Sequence, residues 1–300
     1  MLSVRIPFFR NCITFILLGL IASKGWTQML NNKEGKAFDN AFLFNRSFIW
    51  ENKISTITAI KQIKLPGRPI NETEWKEVMS FNSTGISERK MLTTQGTSFQ
   101  DSSSILFNRN DIGQLFSIEQ NKKTETTVTQ MSYDSNGKIT REDIKQILHL
   151  QGENSREILV ESTTYEYNFP QPNVVVRNNI NNYGLSYSSF TTIKNDQGFL
   201  IKEIENFFVS QREITTLYEY NEKGWVSKTT TTDNTSNEKE ETTFTYDNKG
   251  NVIFAKHNIN NQPVEEFEVL YNQASMIKAI LHQDIASQAI TIHKYEYEFR

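Results

Sequence analysis

Three hundred residues with 32 Lys and Arg against 35 Asp and Glu give a formal net charge of −3, and only 37% of the chain is hydrophobic. The mild acidity argues against nucleic acid as a partner, and 20 Phe with 11 Tyr supply too much apolar ring area for a disordered chain. The composition predicts a folded protein with a thin core, one apolar layer per sheet face.

Arg5 and Arg10 precede the apolar run Cys12–Ala22, and small residues follow at Ser23, Gly25 and Thr27. This pattern predicts a signal peptide over residues 1–27, cleaved after Gly25 or Thr27, because the run is shorter than the ~20 residues a spanning helix needs. The expected location is therefore secreted or periplasmic, with no transmembrane anchor after cleavage. Cys12 is the sole cysteine, so the mature chain excludes disulfides, cysteine zinc sites and thiol nucleophiles. Loss of Arg5, Arg10 and Lys24 would leave 29 basic and 35 acidic residues, a net charge of −6.

Residues 28–77 predict an irregular N-terminal capping segment. Ile54–Lys64 reads as a strand, Leu65-Pro66-Gly67-Arg68-Pro69 as a turn, and Phe38, Phe42, Phe44, Phe48 and Trp50 as cover for the first strand.

From residue 78 to 300 the chain repeats. An aromatic or apolar pair, often followed by Asx-x-x-Gly, recurs at Met79/Phe81, Ile105/Phe107, Met131/Tyr133, Tyr165/Tyr167, Tyr218/Tyr220, Phe244/Tyr246, Val269/Tyr271 and Tyr295/Tyr297. Most steps are 25 or 26 residues; Ile193 fills the 53-residue gap from Tyr167 to Tyr220, and the step from Tyr133 to Tyr167 is 34. Within one unit Thr242, Phe244 and Tyr246 alternate with Thr243 and Thr245, the period of a half-buried strand. Asp247-Asn248-Lys249-Gly250 then supplies an Asx turn and a residue tolerant of positive φ, and Val252 opens a return strand. Polar outer turns are expected at His257–Pro263, Asp233–Asn237 and Asn178–Asn182.

Each unit is thus one β-hairpin. The predicted fold is all-β, an antiparallel meander of about eight to nine ~26-residue hairpins. So wide a sheet must curl, so a rolled or spiral sheet is expected, with a β-propeller as the alternative.

Tyr218-Glu219-Tyr220-Asn221-Glu222-Lys223-Gly224, Phe244–Gly250 and Ser132-Tyr133-Asp134-Ser135-Asn136-Gly137 resemble the YD repeat of Rhs-type bacterial secreted and cell-envelope proteins. The arginines that often flank the family motif are absent here. The resemblance implies strands wound into a β-shell; large members enclose a C-terminal toxin in it. This sequence ends inside a repeat at Tyr295–Arg300, so a short, toxin-less member is expected, with too few units to close a shell. The motif brings no catalytic residue with it.

Chemistry-bearing patterns are sparse. His149, His257, His282 and His293 form no His-x-His or His-Glu-x-x-His pair, and Asp134-Ser135-Asn136-Gly137 lacks the rest of a calcium loop. Glu238, Glu240, Glu241, Glu265, Glu266 and Glu268 suit a solvated strand face, and no Gly-x-Ser-x-Gly elbow or phosphate loop occurs. No catalytic residue, metal site or cofactor is expected. One feature keeps two readings: Tyr165, Tyr167, Tyr218, Tyr220, Tyr246, Tyr271, Tyr295 and Tyr297 form either a core ladder or a concave face that binds glycan or peptide. The expected function is a non-enzymatic envelope scaffold or binding protein for a glycan or protein partner. The alternatives are a carrier or chaperone with an apolar cavity and, last, a hydrolase of envelope polymers.

Overall fold

The computed structural model describes residues 28–38, 44–93, 102–122, 124–149 and 155–300, so the signal peptide expected at 1–27, and Phe42, lie outside the described residues. One short helix, α1 (Arg46–Glu51), precedes eighteen strands. These are β1 (Ile54–Lys64), β2 (Ile70–Phe81), β3 (Ser87–Thr93), β4 (Ser102–Arg109), β5 (Leu115–Asn121), β6 (Glu125–Tyr133), β7 (Ile139–Leu148), β8 (Arg156–Gln171) and β9 (Val174–Ile180). They continue as β10 (Ser186–Lys194), β11 (Leu200–Phe207), β12 (Arg212–Tyr220), β13 (Val226–Asp233), β14 (Lys239–Tyr246), β15 (Val252–Ile259), β16 (Gln262–Tyr271), β17 (Ile277–Asp284) and β18 (Ile290–Phe299).

All neighbours pair antiparallel in chain order, as the meander requires, and β1 pairs with β18 on one side and β2 on the other. The sheet is therefore a closed barrel of eighteen strands. This overturns the expected open roll or spiral and the propeller alike. Eighteen strands at ~4.8 Å make a ribbon ~86 Å wide, and joining its ends removes two rows of unpaired backbone groups that an open roll would expose. The closing strand is β1, which the sequence placed in the capping segment. Its register runs from Ile57 opposite Tyr297 to Lys64 opposite Ile290.

The turns explain the motif. Asp247 Oδ1 accepts from the backbone N–H of Lys249 at 2.9 Å and of Asn251 at 2.8 Å, while the Gly250 N–H donates to the Asp247 carbonyl at 3.2 Å. The same fork recurs at Asn82, Asp134, Asn181, Asn195, Asn221 and Asn272. The fourth residue takes positive φ, as at Gly224 (+77°); in the unit without glycine, Ser275 takes it at +61°. Each such turn at the aromatic end is followed by a register shift, as between Glu219 and Tyr220, so one strand gains a residue on its partner.

The tyrosine next to the Asx residue then ties its hairpin to the previous one. Tyr133 donates to the Leu115 carbonyl, Tyr167 to Ile139, Tyr220 to Leu200, Tyr246 to Val226, Tyr271 to Val252 and Tyr297 to Ile277, all at 2.5–3.0 Å. Each acceptor opens the return strand of the preceding turn. Two anchors shift phase: the residue before the Asx is Arg109 rather than Phe107 in the β4 unit, and Lys194 rather than Ile193 in the β10 unit. Of the three outer turns expected, those after β9 and β13 span five residues, at 181–185 and 234–238, and the one after β15 is shorter. β15 and β16 meet at Asn260-Asn261, both at positive φ, a two-residue hairpin that takes in His257 and Pro263 as strand residues.

The described stretches before β1, residues 28–38 and 44–53, pack against the barrel wall from within. Lys36 reaches Glu203 on β11 and Arg46 reaches the β2–β3 turn, which stand nine strands apart and so face each other across the ring. Asn32 also reaches Tyr246 on β14, Phe38 reaches Phe267 on β16 and Phe44 reaches Tyr295 on β18, and contacts with so many strands converge only on the concave side of the ring, where this part of the chain sits. It packs on the aromatic face, which is therefore the inner one. Met29 and Leu30 join Phe48, Ile49, Ile54, Ile57, Met79, Val269 and Ile277 in the larger core cluster. Tyr218, Val226, Phe244, Val252 and Ala255 form the second. Phe38 stacks on Phe267 at 4.5 Å, and His282 covers the other face of that ring at 4.4 Å. The outer wall carries the ion pairs Lys228–Glu241 (2.7 Å), Lys239–Glu241 (3.0 Å) and Lys256–Glu266 (3.2 Å). No helix among the described residues is long and apolar enough to cross a membrane.

One inner-wall group makes acid stability predictable. His293, against the Trp75 ring at 5.0 Å, is pushed down to about 4 by burial, with Lys61 and His282 adding repulsion. The unfolded chain takes up this proton near pH 6.5 and the folded chain only near pH 4, so stability present above pH 6.5 is lost as pH falls through that window. His293→Asn should flatten the slope of denaturation free energy between pH 6.5 and 4 and leave the fall at lower pH in place. Urea titrations across that range measure it.

Candidate functional site

A cleft of about 810 Å³ opens at the Asx-turn end between the inner segment Gln28–Glu34 and the wall from β10 to β14. The turns deliver its rings. Phe199 and Trp225 each follow the glycine of an Asx-x-x-Gly turn in successive hairpins, and both are half-buried. The Phe199 ring lies 4.9 Å from Tyr220 at 45°, and the Trp225 ring 5.2 Å from Tyr246 at 42°. The two units thus present the same ring-on-tyrosine platform one hairpin apart, about 10 Å along the wall.

Charge surrounds the platforms. Lys33, Lys194 and Lys223 line the cleft, with the Lys223 Nζ 4.9 Å from the centre of the Trp225 ring. Two carboxylates, Glu34 and Glu203, line it as well, and Glu203 accepts from the Tyr218 hydroxyl at 2.6 Å and lies 3.9 Å from the Lys36 Nζ. The inner segment adds Asn32, whose Nδ2 donates to the Tyr246 oxygen at 2.8 Å.

Of the eight tyrosines named from the sequence, only Tyr220 and Tyr246 line this cleft. Five of the eight, Tyr167, Tyr220, Tyr246, Tyr271 and Tyr297, commit their hydroxyls to backbone carbonyls. Tyr218 is 5% exposed and bound to Glu203. Tyr295 packs edge-on against Phe44, and burial raises its pKa. Tyr165 stands apart on β8 beneath the Arg177 guanidinium, 4.7 Å away, and burial raises its hydroxyl to about 12, as it does that of Tyr246.

Phe199, Trp225, Lys33, Lys194 and Lys223 were not singled out from the sequence as site residues. Their signal was positional: the place after the turn glycine holds Lys138 or Asn251 in other units and a ring only in these two. Among the described residues no group of three or more His, Cys, Asp or Glu side chains is placed to hold a metal ion. His257 contacts Thr242 at 3.1 Å and His149 contacts Thr126 at 2.9 Å, both partners hydroxyl groups.

No family model matches the sequence, and no curated protein matches it. Among solved structures, a porin-like protein from Bacteroides uniformis shares 13% identity and a TM-score of 0.40, covering 82% of this chain and 97% of that one. A porin-like protein from Bacteroides vulgatus gives 11%, 0.34, 82% and 98%. The Photorhabdus luminescens Tc holotoxin pore gives 15% and 0.29 over 73% of this chain, which spans only 12% of that chain. These superpositions are too loose to equate the folds.

Proposed function

We propose that the protein is a secreted or periplasmic binding protein of the cell envelope, without catalysis of its own, that holds an extended glycan chain in the turn-end cleft. The observation that carries this reading is the pair of ring platforms, Phe199 on Tyr220 and Trp225 on Tyr246, repeated one hairpin apart. A spacing of about 10 Å suits alternate sugars of an extended polymer, whose apolar ring faces stack on aromatics while their hydroxyls meet Lys and Asn. Kinship with YD-repeat envelope proteins belongs to the same proposal and rests on the Tyr-Asx-x-x-Gly unit.

The test is affinity electrophoresis or titration against soluble cell-wall and outer-membrane glycans. Trp225→Ala and Phe199→Ala should each weaken binding about 3- to 10-fold, since a lost stacking contact is worth about 0.5–1.5 kcal/mol. The melting temperature should stay close to that of the parent, because both rings are partly solvated. Binding unaffected by the double variant would remove the cleft from consideration.

A further inference from the structure

Across the same mouth, two arginines meet at a cavity of about 730 Å³, Arg46 from α1 and Arg109 from the end of β4, while Arg89, opposite Ser80, lines its rim from the outer face of β3. A smaller cavity of about 270 Å³ adjoins it, sharing Arg46, Ile86, Arg109 and Gly113 and lined on its inner side by Phe44, Met79 and Phe81. Arg109 occupies the place beside the Asx residue that tyrosine fills in the β6, β12, β14 and β16 units. The guanidinium does not reproduce the tyrosine's tie to the previous hairpin. Its Nη1 donates to the Gly113 carbonyl within its own turn at 3.1 Å, while its Nε is buried without an acceptor.

Charge balance at the cavity is uneven. No carboxylate lies within ion-pair distance of Arg46, Arg89 or Arg109 among the described residues. Glu88 and Asp111 line the larger cavity but are exposed. Arg46 gives its Nε to the Thr84 carbonyl at 3.1 Å, and Arg300 donates to the Phe81 carbonyl of the same turn at 2.7 Å. Several guanidinium groups thus crowd one edge of a mildly acidic chain. A buried N–H without an acceptor is unfavourable, and an oxyanion placed there would relieve it while accepting from more than one arginine.

We propose that this cavity binds an anionic amphiphile, its carboxylate or phosphate held by Arg109 and Arg46 and its hydrocarbon laid against Phe44, Met79, Phe81 and Ile86. The site shares no residue with the ring platforms, so it stands or falls separately from the glycan reading.

Isothermal titration of the full chain with dodecyl phosphate and laurate, below their micelle concentrations, tests it. Dodecyl maltoside and inorganic phosphate serve as controls. Both anionic amphiphiles should bind at least tenfold tighter than either control. Arg109→Gln should weaken dodecyl phosphate at least tenfold and leave glycan binding intact, whereas Trp225→Ala should leave dodecyl phosphate unchanged. If Arg109→Gln fails to fold, Arg46→Gln, on an exposed residue, should still weaken binding severalfold. Equal affinity for the maltoside, equal affinity for inorganic phosphate, or a folded arginine variant with parental affinity would each overturn the proposal.

Discussion

Tyr297→Ala should destabilise the barrel by about 3–5 kcal/mol, and Tyr297→Phe by only about 1–2 kcal/mol. The residue sits on β18 opposite Ile57 of β1, at the seam where the two ends of the sheet meet. Its ring packs against the larger core cluster, while its hydroxyl donates to the Ile277 carbonyl at 2.6 Å and faces the Met29 sulfur at 3.7 Å. Alanine removes the ring from a place where strand pairing, inner segment and hydrophobic core coincide. Phenylalanine removes only the hydrogen bond and leaves one buried carbonyl a partner short. Urea denaturation of both variants measures the difference, and a Phe variant as unstable as Ala would mean that the hydroxyl rather than the ring carries the seam.

Gly85→Ala should cost about 2–4 kcal/mol, and Gly184→Ala about 1 kcal/mol. Both glycines close Asx turns at nearly the same φ, +75° and +76°, so the backbone strain of an added Cβ is common to the pair. The surroundings differ. At Gly85 the Cβ would stand 2.5 Å from the Arg46 carbonyl oxygen and 2.9 Å from the Trp50 Cβ, so α1 would have to move off the turn; at Gly184 nothing lies within 4 Å. The difference in melting midpoint between the two variants reports how firmly α1 is seated. Equal losses would show that the helix yields without resistance.

The hairpin was legible because its determinants are local. Asx side chains, turn glycines and period-two alternation act over a few residues, and the strand Ile54–Lys64 emerged with the same bounds the structure gives it. Closure was not legible, because pairing Ile57 with Tyr297 spans most of the chain and no spacing rule announces it. Assigning β1 to a cap followed from treating the repeat as the whole sheet. The phase of the β4 unit was misjudged because Phe107 imitates the anchor two residues before the true one, Arg109. That slip also hid the arginine cluster, since a guanidinium in a tyrosine position carries no signature of its own. The ring platforms were hidden for a related reason: a single Trp or Phe after a turn glycine acquires meaning only when the next hairpin is laid beside it.

An even number of strands is what lets β18 meet β1 antiparallel. Because every inserted or lost hairpin contributes two strands, a duplication or deletion of one whole ~26-residue unit keeps the parity on which that meeting depends, and only the girth of the lumen changes. The Tyr-to-carbonyl tie runs from six of the nine hairpins to the one before it, so a new copy of any of these six brings its own fastening. A lone extra strand would make the two ends parallel and leave the ring unable to seal in this register. Such a ring can therefore drift in size by gene-level copying of a single module, with the inner segment and the spacing of the two cavities at its mouth as the parts that must readjust.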